Sequence, residues 1–387
     1  MSNNLTINPD QTFAGLHQEN KSRLWSSLII DECVAQGIIN FYISPGMRNA
    51  PLLAAIKAHP SANYYLGIDE RAQSFRALGH LRYSAGGIAL VCTSGTAGAH
   101  YLPAIIEAKK SFLPLLVLTA DRPSELSLSG ANQTINQQQL YQNYVHASLY
   151  LEAPNEMVSP RALRTLIAQT LRESGTYPSH INVPLREPLD LNCELINENY
   201  LAAAKLSWNR LSTEHLEFNA QTWIEADFLP IKNILTAARR PLVVVGELPP
   251  SGDYAELITA IEKAKVPFVV DITSQLKFSP LGSSPYLLAS FDHDETTRLL
   301  DQLDVDLVVH LGGRGVSKKY ARWLESFQQN NLRRPIVMIN TIPEKIDPTH
   351  QVTHKVMLRS LDELARVLSV LPAYTSPSSS WPLNSKV

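Results

Sequence analysis

The stretch NYYLGIDERAQSFRALGHLRYSAGGIALVCTSGTAG, residues 63–98, decides the fold because strand and helix signals alternate along it. Residues 63–68 favour a strand, apolar residues recur at helical spacing from Glu70 to Tyr83, and residues 88–94 form an apolar run typical of a buried strand. A strand, a helix and a second strand in this order predict parallel pairing with a crossover helix.

The same alternation continues on both sides of this stretch. In the first half, strands are predicted at 38–44, 115–120 and 180–185, and helices at 24–37, 51–59, 97–111 and 160–175. In the second half, strands are predicted at 241–248, 267–273, 307–312 and 335–340, and helices at 254–265, 296–303, 318–329 and 361–371. This rhythm predicts an α/β protein with two doubly wound, mostly parallel-sheet domains. We place the domains at 1–195 and 196–372, followed by a Pro- and Ser-rich flexible tail or linker at 373–387.

Composition limits the functional classes. The 387 residues are 44% hydrophobic and 18% charged, with a formal net charge of −2, so no polyanion-binding signal is present and nucleic acid is not implied. Three scattered cysteines, Cys33, Cys92 and Cys193, suggest neither a disulfide framework nor a zinc site. Since the sequence shows neither a leader pattern at residues 1–15 nor an apolar run of about 18 residues, we expect a cytoplasmic protein without a membrane span.

Ligands of doubly wound sheets bind beyond the carboxyl ends of the strands. In this sequence those ends are followed by SPGMRNAP (44–51), DER (69–71), TSGTAG (93–98), TADRPSEL (119–126) and GANQTINQ (130–137). A GxGxxG fingerprint, a P-loop and a GxSxG elbow are all absent, which disfavours dinucleotide, NTPase and serine hydrolase chemistry. Taken alone, Asp69 and Glu70 are explained by helix-start chemistry, as an N-cap and a first-turn carboxylate.

Together the five loops resemble one family, the thiamine-diphosphate-dependent 2-succinyl-5-enolpyruvyl-6-hydroxy-3-cyclohexene-1-carboxylate synthases of menaquinone biosynthesis. The family pattern SPGSRS is matched by SPGMRN, and its DER, TSGTA, TADRP and GANQ motifs occur here in the same order. In the second half VVGE, DITSQ, SKKYARWL and IDPTH resemble the family's central domain. The resemblance covers about residues 21–371 and implies a pyrimidine-binding domain followed by that central domain.

The resemblance implies a catalytic role for Glu70. In this class of enzyme a glutamate shares a proton with N1′ of the cofactor's aminopyrimidine, which requires a carboxyl group held in a fairly dry site. The resemblance also places Ser44, Pro45, Gly46, Thr93, Ser94 and Gln133 with Glu70 at the cofactor. Asp69 and Arg71 are still interpreted mainly as cap and surface residues.

The implied substrates, 2-oxoglutarate and isochorismate, are dianions, so cationic side chains are expected around the site. By resemblance, the substrate-binding residues are Arg48, Arg122, Asn132, Gln133, Lys318 and Lys319. Turn capping by Arg122 and a solvated helix face at the lysines remain alternative interpretations. Met47 and Asn49 stand where the family has serines, a difference expected to alter substrate contacts.

The family binds the diphosphate and Mg²⁺ with a Gly-Asp-Gly motif in a third domain, and no such motif occurs in these 387 residues. We therefore expect the chain to be half of a split synthase or a fragment of a complete one. It would act with a diphosphate-binding domain supplied in a homo-oligomer or by a second chain, and would be inactive without it. The alternative is a non-catalytic paralogue that binds or senses a pathway metabolite. A different α/β enzyme with a nucleotide ligand is disfavoured by the missing phosphate motifs.

Overall fold

A computed structural model describes residues 15–83, 86–127, 129–208, 225–249, 252–313, 315–330, 334–340, 347–358 and 362–374. The chain divides into two compact units, Met1–Glu217 and Phe218–Val387. The predicted tail at 373–387 lies almost entirely outside the described residues.

The first unit is built on a six-stranded sheet in the order β2-β1-β3-β4-β6-β5, and its strand pairs are parallel. Its strands are β1 (Ile38–Ile43), β2 (Asn63–Leu66), β3 (Gly87–Cys92), β4 (Leu115–Asp121), β5 (Ala147–Tyr150) and β6 (Ser179–Pro184). Its helices are α1 (Lys21–Ala35), α2 (Ala50–Ala58), α3 (Glu70–Leu81), α4 (Thr96–Ala99), α5 (Leu102–Lys110), α6 (Pro160–Ser174) and α7 (Glu198–Trp208).

Helices cover both faces of this sheet, as the alternation predicted. Apolar side chains of α1, α2 and α6 form one core with one face, and those of α3 and α5 form a second core with the other face. Strands buried on both sides need continuous apolar sequence, which explains the uninterrupted runs in β3 and β4. The prediction of a doubly wound parallel sheet is confirmed.

Some local features of the first unit differ from the sequence predictions. The helix predicted at 97–111 is divided into α4 and α5, because Pro103 in the first turn of α5 has no N–H for a continuous helix. His100 and Tyr101 instead donate their backbone N–H groups to Ala97 O and Gly98 O in a tighter turn. Strand β5 was not predicted, since its sequence ASLY is short and only partly apolar.

The second unit contains a five-stranded sheet in the order β11-β10-β9-β7-β8, also parallel. Its strands are β7 (Pro241–Val245), β8 (Phe268–Val270), β9 (Leu307–Leu311), β10 (Ile336–Asn340) and β11 (His354–Met357). Its helices are α8 (Glu225–Ala237), α9 (Ala255–Ala264), α10 (Asp294–Leu303), α11 (Lys318–Asn330) and α12 (Asp362–Leu368). The edge strand β11 was not predicted, because its residues are mostly exposed and give no apolar run.

The division between the units falls later than the predicted boundary at 195/196. Helix α7 packs on α1 and α6, and its Tyr200 accepts a hydrogen bond from Trp25 Nε1 at 2.8 Å. Tyr200 and Ala204 belong to the core of the first unit. No helix was predicted here, because the sequence is mixed and polar, and the predicted boundary assigned these residues to the second domain, whereas the buried face of α7 belongs to the first unit.

Among the described helices, none combines the length and the apolar character that a membrane crossing requires.

Candidate functional site

The candidate site lies where the strand order of the first sheet reverses. From β1 the chain crosses to β2 on one side, and from β3 it crosses to β4 on the other. Such a reversal opens a crevice beyond the carboxyl ends of the two strands. The loops at this point carry Ser44–Gly46 after β1 and Thr93–Gly95 after β3, so five of the predicted cofactor residues meet here.

Gly46 lets these two loops approach each other closely. A Cβ on Gly46 would lie 2.6 Å from Thr93 Cβ, so a larger residue would force the loops apart. Gly95 has φ +85°, and a Cβ there would lie 2.8 Å from Gln133 Cγ. Both glycines of the predicted motifs are therefore required by close approach, and Gly95 also by its left-handed backbone.

Asn49 holds the 44–49 loop closed. Its Oδ1 accepts from Gly46 N at 2.8 Å and its Nδ2 donates to Ser44 O at 3.0 Å, in a fully buried position. Met47, in contrast, is 75% exposed at the loop tip. Of the two departures from the family pattern, Asn49 thus supports the loop, and Met47 is the side chain that a ligand can reach.

Glu70 is placed by the start of α3. Asp69 caps this helix by accepting from Ala72 N at 2.7 Å. Gln73, one turn later, donates to Tyr65 O and lies directly against Gly67, where an added Cβ would be 2.4 Å from Gln73 Oε1. These contacts fix the first turn of α3 against the end of β2. Asp69 is therefore the N-cap of α3, and the same contacts give Glu70 a defined position.

The Glu70 carboxylate is half-buried and makes no hydrogen bond or ion pair within the described parts of the chain. On its buried side lie Cys92 and Tyr101: burial, and to a lesser degree the charge of Glu70, raises the pKa of both groups. The Tyr101 hydroxyl donates a hydrogen bond to Val91 O at 3.0 Å. Glu70 therefore retains its proton-accepting oxygens for a ligand.

Two guanidinium groups flank the crevice. Arg48 is buried, donates to Leu185 O at 2.9 Å and lies 3.4 Å from Glu187 Oε1. Arg122 donates to Ser94 Oγ and, at 2.8 Å, to Gln133 O. Partial burial, together with the nearby charge of Arg48, lowers the pKa of Arg122. Two adjacent cations with further N–H donors form a site suited to a carboxylate ligand.

The GANQ segment joins the same crevice through its glutamine. Gln133, with φ 58°, donates from Nε2 to Ser94 O at 3.0 Å. Asn132 is exposed beside it. Lys318 and Lys319 lie in the second unit at the start of α11, where Lys319 Nζ is 2.7 Å from both Asp292 O and Asp294 Oδ1. Lys318 is exposed, and the substrate role of both lysines stays a prediction.

The residues at the crevice fit the aminopyrimidine half of thiamine diphosphate. The Ser44 hydroxyl is buried, with 1% of the residue exposed, and the Tyr101 hydroxyl lies near it without forming a hydrogen bond of ordinary geometry. A buried hydroxyl that is incompletely satisfied favours a ligand that completes its hydrogen bonds. A carboxyl group, this hydroxyl and a cradle shaped by two glycines supply the polar contacts that a flat heteroaromatic ring needs.

The sequence did not single out the polar network beneath these loops. Its five residues are Thr119, Asp121, Gln137, His180 and Asn182. Thr119 Oγ1 and Gln137 Nε2 donate to Asn182 Oδ1, both at 2.8 Å, and Asn182 Nδ2 donates to Asp121 Oδ2 at 2.9 Å. The available signal was the alternation in HINV, which places His180 and Asn182 on one face of β6 and apolar residues on the other.

His180 makes folding of the first unit sensitive to acid. Burial lowers its pKa to about 3, and it lies against Thr119 and the rings of Tyr141 and Tyr150. Because the unfolded histidine binds its proton near pH 6.5 and the folded one only near pH 3, stability is complete above about pH 6.5 and falls as the pH falls between these values. Between pH 7 and 4.5 we expect the unfolding free energy of the wild type to drop by about 2–3 kcal/mol more than that of His180→Gln.

Urea unfolding at the two pH values, followed by hydrogen exchange in the first unit, measures this difference. The buried His310 of the second unit, whose pKa is also lowered by burial, is common to both proteins and serves as an internal reference. Equal losses of unfolding free energy in the wild type and the variant would contradict the assignment of the acid sensitivity to His180.

Comparisons with known proteins match both units of the chain. Residues 25–140 match the family model of the thiamine pyrophosphate enzyme N-terminal TPP binding domain, and residues 208–381 match that of the middle domain of thiamine pyrophosphate enzymes. The chain is 31% identical to a 2-succinyl-5-enolpyruvyl-6-hydroxy-3-cyclohexene-1-carboxylate synthase of Chlorobium luteolum over 344 residues, and 35% identical to that of Chlorobium phaeobacteroides over 346. In each case the match covers 87% of this chain and 57% of the relative, so the chain spans little more than half the length of these relatives.

Proposed function

Because the chain belongs to the thiamine pyrophosphate enzymes, and contains their N-terminal and middle domains, we propose that it is the pyrimidine-binding part of a 2-succinyl-5-enolpyruvyl-6-hydroxy-3-cyclohexene-1-carboxylate synthase. The observation that carries the proposal is the meeting of a half-buried Glu70, a buried Ser44 hydroxyl and two adjacent guanidiniums at one switch point. Thiamine diphosphate, when bound, supplies the nucleophile and electron sink for decarboxylating 2-oxoglutarate and adding its succinyl unit to isochorismate.

Glu70 holds a proton at N1′ of the aminopyrimidine in this proposal. Its position on the first turn of α3, clamped by Asp69 and Gln73, fixes the carboxyl geometry. The buried neutral side chains of Cys92 and Tyr101 exclude water behind it. A fixed carboxyl with one dry side is what proton exchange with a weakly basic ring nitrogen requires.

Arg48 and Arg122 bind substrate carboxylate, with isochorismate as the proposed ligand. Their mutual repulsion is offset in the free protein by Asp121 and Glu187, and an incoming dianion would relieve it further. Gln133 and Asn132 lie beside Arg122 and are proposed to contact the substrate. Lys318 and Lys319 are retained as substrate residues only through the family resemblance.

We place Mg²⁺ and diphosphate binding outside these residues, since the sequence has no Gly-Asp-Gly motif. The crevice is then completed by a diphosphate-binding domain of another subunit, in a homo-oligomer or with a separate chain. We also propose a cytoplasmic location, which the three free thiols support.

Reconstitution tests the proposed function. The chain is mixed with the part of the Chlorobium luteolum relative that lies outside the match, thiamine diphosphate, Mg²⁺, 2-oxoglutarate and isochorismate, and the synthase product is measured by mass spectrometry. We expect product from the mixture and none from either part alone. A mixture that binds isochorismate but forms no product, with a full-length relative active in the same assay, would favour the metabolite-binding alternative.

A further inference from the structure

We propose that Gln137 is a positioning residue for the substrate-binding Arg122, an inference that rests on the proposed function of the site. Gln137 is 1% exposed, and both ends of its amide are engaged. Its Oε1 accepts from Gly95 N at 2.7 Å, and its Nε2 donates to Ala120 O at 3.1 Å and to Asn182 Oδ1 at 2.8 Å. One side chain thus connects the loop after β3 with the end of β4.

These two attachment points lie directly beside the contacts of Arg122. Gly95 follows Ser94, whose Oγ accepts from Arg122 Nη1, and Ala120 precedes Asp121, whose Oδ1 accepts from Arg122 N at 2.8 Å. Gln137 therefore sets the spacing between the backbone that carries the Arg122 side chain and the loop that receives its guanidinium. An amide that bridges two loops in a buried site resists displacement, because breaking either bond leaves a backbone group unsatisfied.

Asn182 extends the same restraint from the neighbouring strand. Its Oδ1 accepts from Gln137 and from Thr119, and its Nδ2 donates to Asp121 Oδ2. Since Thr119 gives its one proton to Asn182, it accepts from His180 Nε2 at 2.7 Å, which defines the tautomer of His180. The hydrogen bonds therefore run in one direction: His180 donates to Thr119, Thr119 to Asn182, and Asn182 to the Asp121 carboxylate beside Arg122.

A double-mutant cycle between Gln137 and Arg122 tests the inference. Gln137→Met keeps the length of the side chain and removes its hydrogen bonds. We expect it to weaken isochorismate binding, measured by calorimetry with this chain, by about 10-fold in the wild-type background. In the Arg122→Ala background we expect a change of less than about 2-fold, because the residue through which Gln137 acts is already gone.

Hydrogen exchange provides a readout that does not depend on the ligand. In Gln137→Met we expect exchange to rise by about 10-fold in the peptides covering 93–98 and 120–123, with the rest of the first unit unchanged. The matched control is Gln142→Met, an exposed glutamine in the same segment, which should alter neither exchange nor affinity.

Equal weakening in both backgrounds, or an exchange increase spread over the whole unit, would overturn the inference and assign Gln137 a general stabilising role. If the wild-type chain binds no isochorismate, the proposal that this chain binds the substrate is rejected. The hydrogen-exchange pattern alone then decides whether Gln137 holds the two loops, and an unchanged pattern would overturn that inference.

Discussion

Replacing Glu70 with glutamine is expected to lower the turnover of the reconstituted synthase by about 10²–10⁴-fold. Glutamine has nearly the shape of glutamate, so the start of α3 and its clamp to Tyr65 and Gly67 are retained. An amide, however, does not exchange a proton with a ring nitrogen. The loss should appear in kcat, measured from product formation at saturating 2-oxoglutarate, isochorismate and thiamine diphosphate.

Asp69→Asn is the matched control for this substitution. It neutralises the adjacent carboxylate, yet asparagine caps a helix about as well as aspartate, so the bond to Ala72 N and the position of Glu70 should persist. We expect its turnover to stay within about 3-fold of the wild type, since only the exposed cap charge changes. If Glu70→Gln behaved like this control, Glu70 would be only the first-turn carboxylate of α3.

The second large effect is expected on stability, at Arg164 of α6. Its guanidinium is buried and contacts two carboxylates of α1: Nε lies 2.8 Å from Glu32 Oε2, and Nη1 bonds to Asp31 Oδ2. Glu32 is 2% exposed. Arg164→Met leaves these carboxylates without their guanidinium, so we expect the first unit to lose about 3–5 kcal/mol of unfolding free energy. Urea unfolding followed by hydrogen exchange in its strands measures the loss.

Two further variants distinguish the effect of losing the Arg164 ion pair from the effect of merely shortening an arginine side chain on this helix. Arg161→Met, on the exposed side of the same helix, should change the stability by no more than about 0.5 kcal/mol. Adding Glu32→Gln to Arg164→Met should recover part of the loss, because the buried charge is then removed with its partner. A loss below about 1 kcal/mol in the single variant would show that the remaining partners suffice, namely His59, 3.3 Å from Asp31 Oδ1, and Gln36, which donates to Glu32 Oε1 at 2.8 Å.

Local sequence patterns predicted most of the fold. Buried parallel strands such as β3 and β4 have long apolar runs, so their periodicity is unambiguous. The strands that were not predicted, β5 and β11, are the short ones with exposed positions, where burial by neighbouring elements and not sequence pattern sets the conformation. Helix α7 was not predicted, because its apolar positions are few and its partners α1 and α6 are distant in sequence.

In the candidate site, too, some residues could be predicted from the sequence and others only from tertiary contacts. Ser44–Gly46, Glu70 and Arg122 were predicted because they lie in motifs that resemble a known family and that follow the ends of predicted strands. Asn182 and Gln137 were not, because the resemblance assigns no role to either residue and their sequence positions do not show what they contact. Their roles arise from contacts with Asp121 and Gly95 across 61 and 42 positions of the chain.

The sequence by itself determined two parallel α/β units and the set of loops at the ends of their strands, because apolar periodicity and strand ends are local properties of the chain. Only the tertiary structure decided that the strand order reverses between β1 and β3, which brings Gly46 and Thr93 together. It also decided that Asn49 closes a loop and that Gln137 bridges two loops. Burial makes the difference: a polar side chain removed from water must find partners, and their identity depends on how distant segments pack.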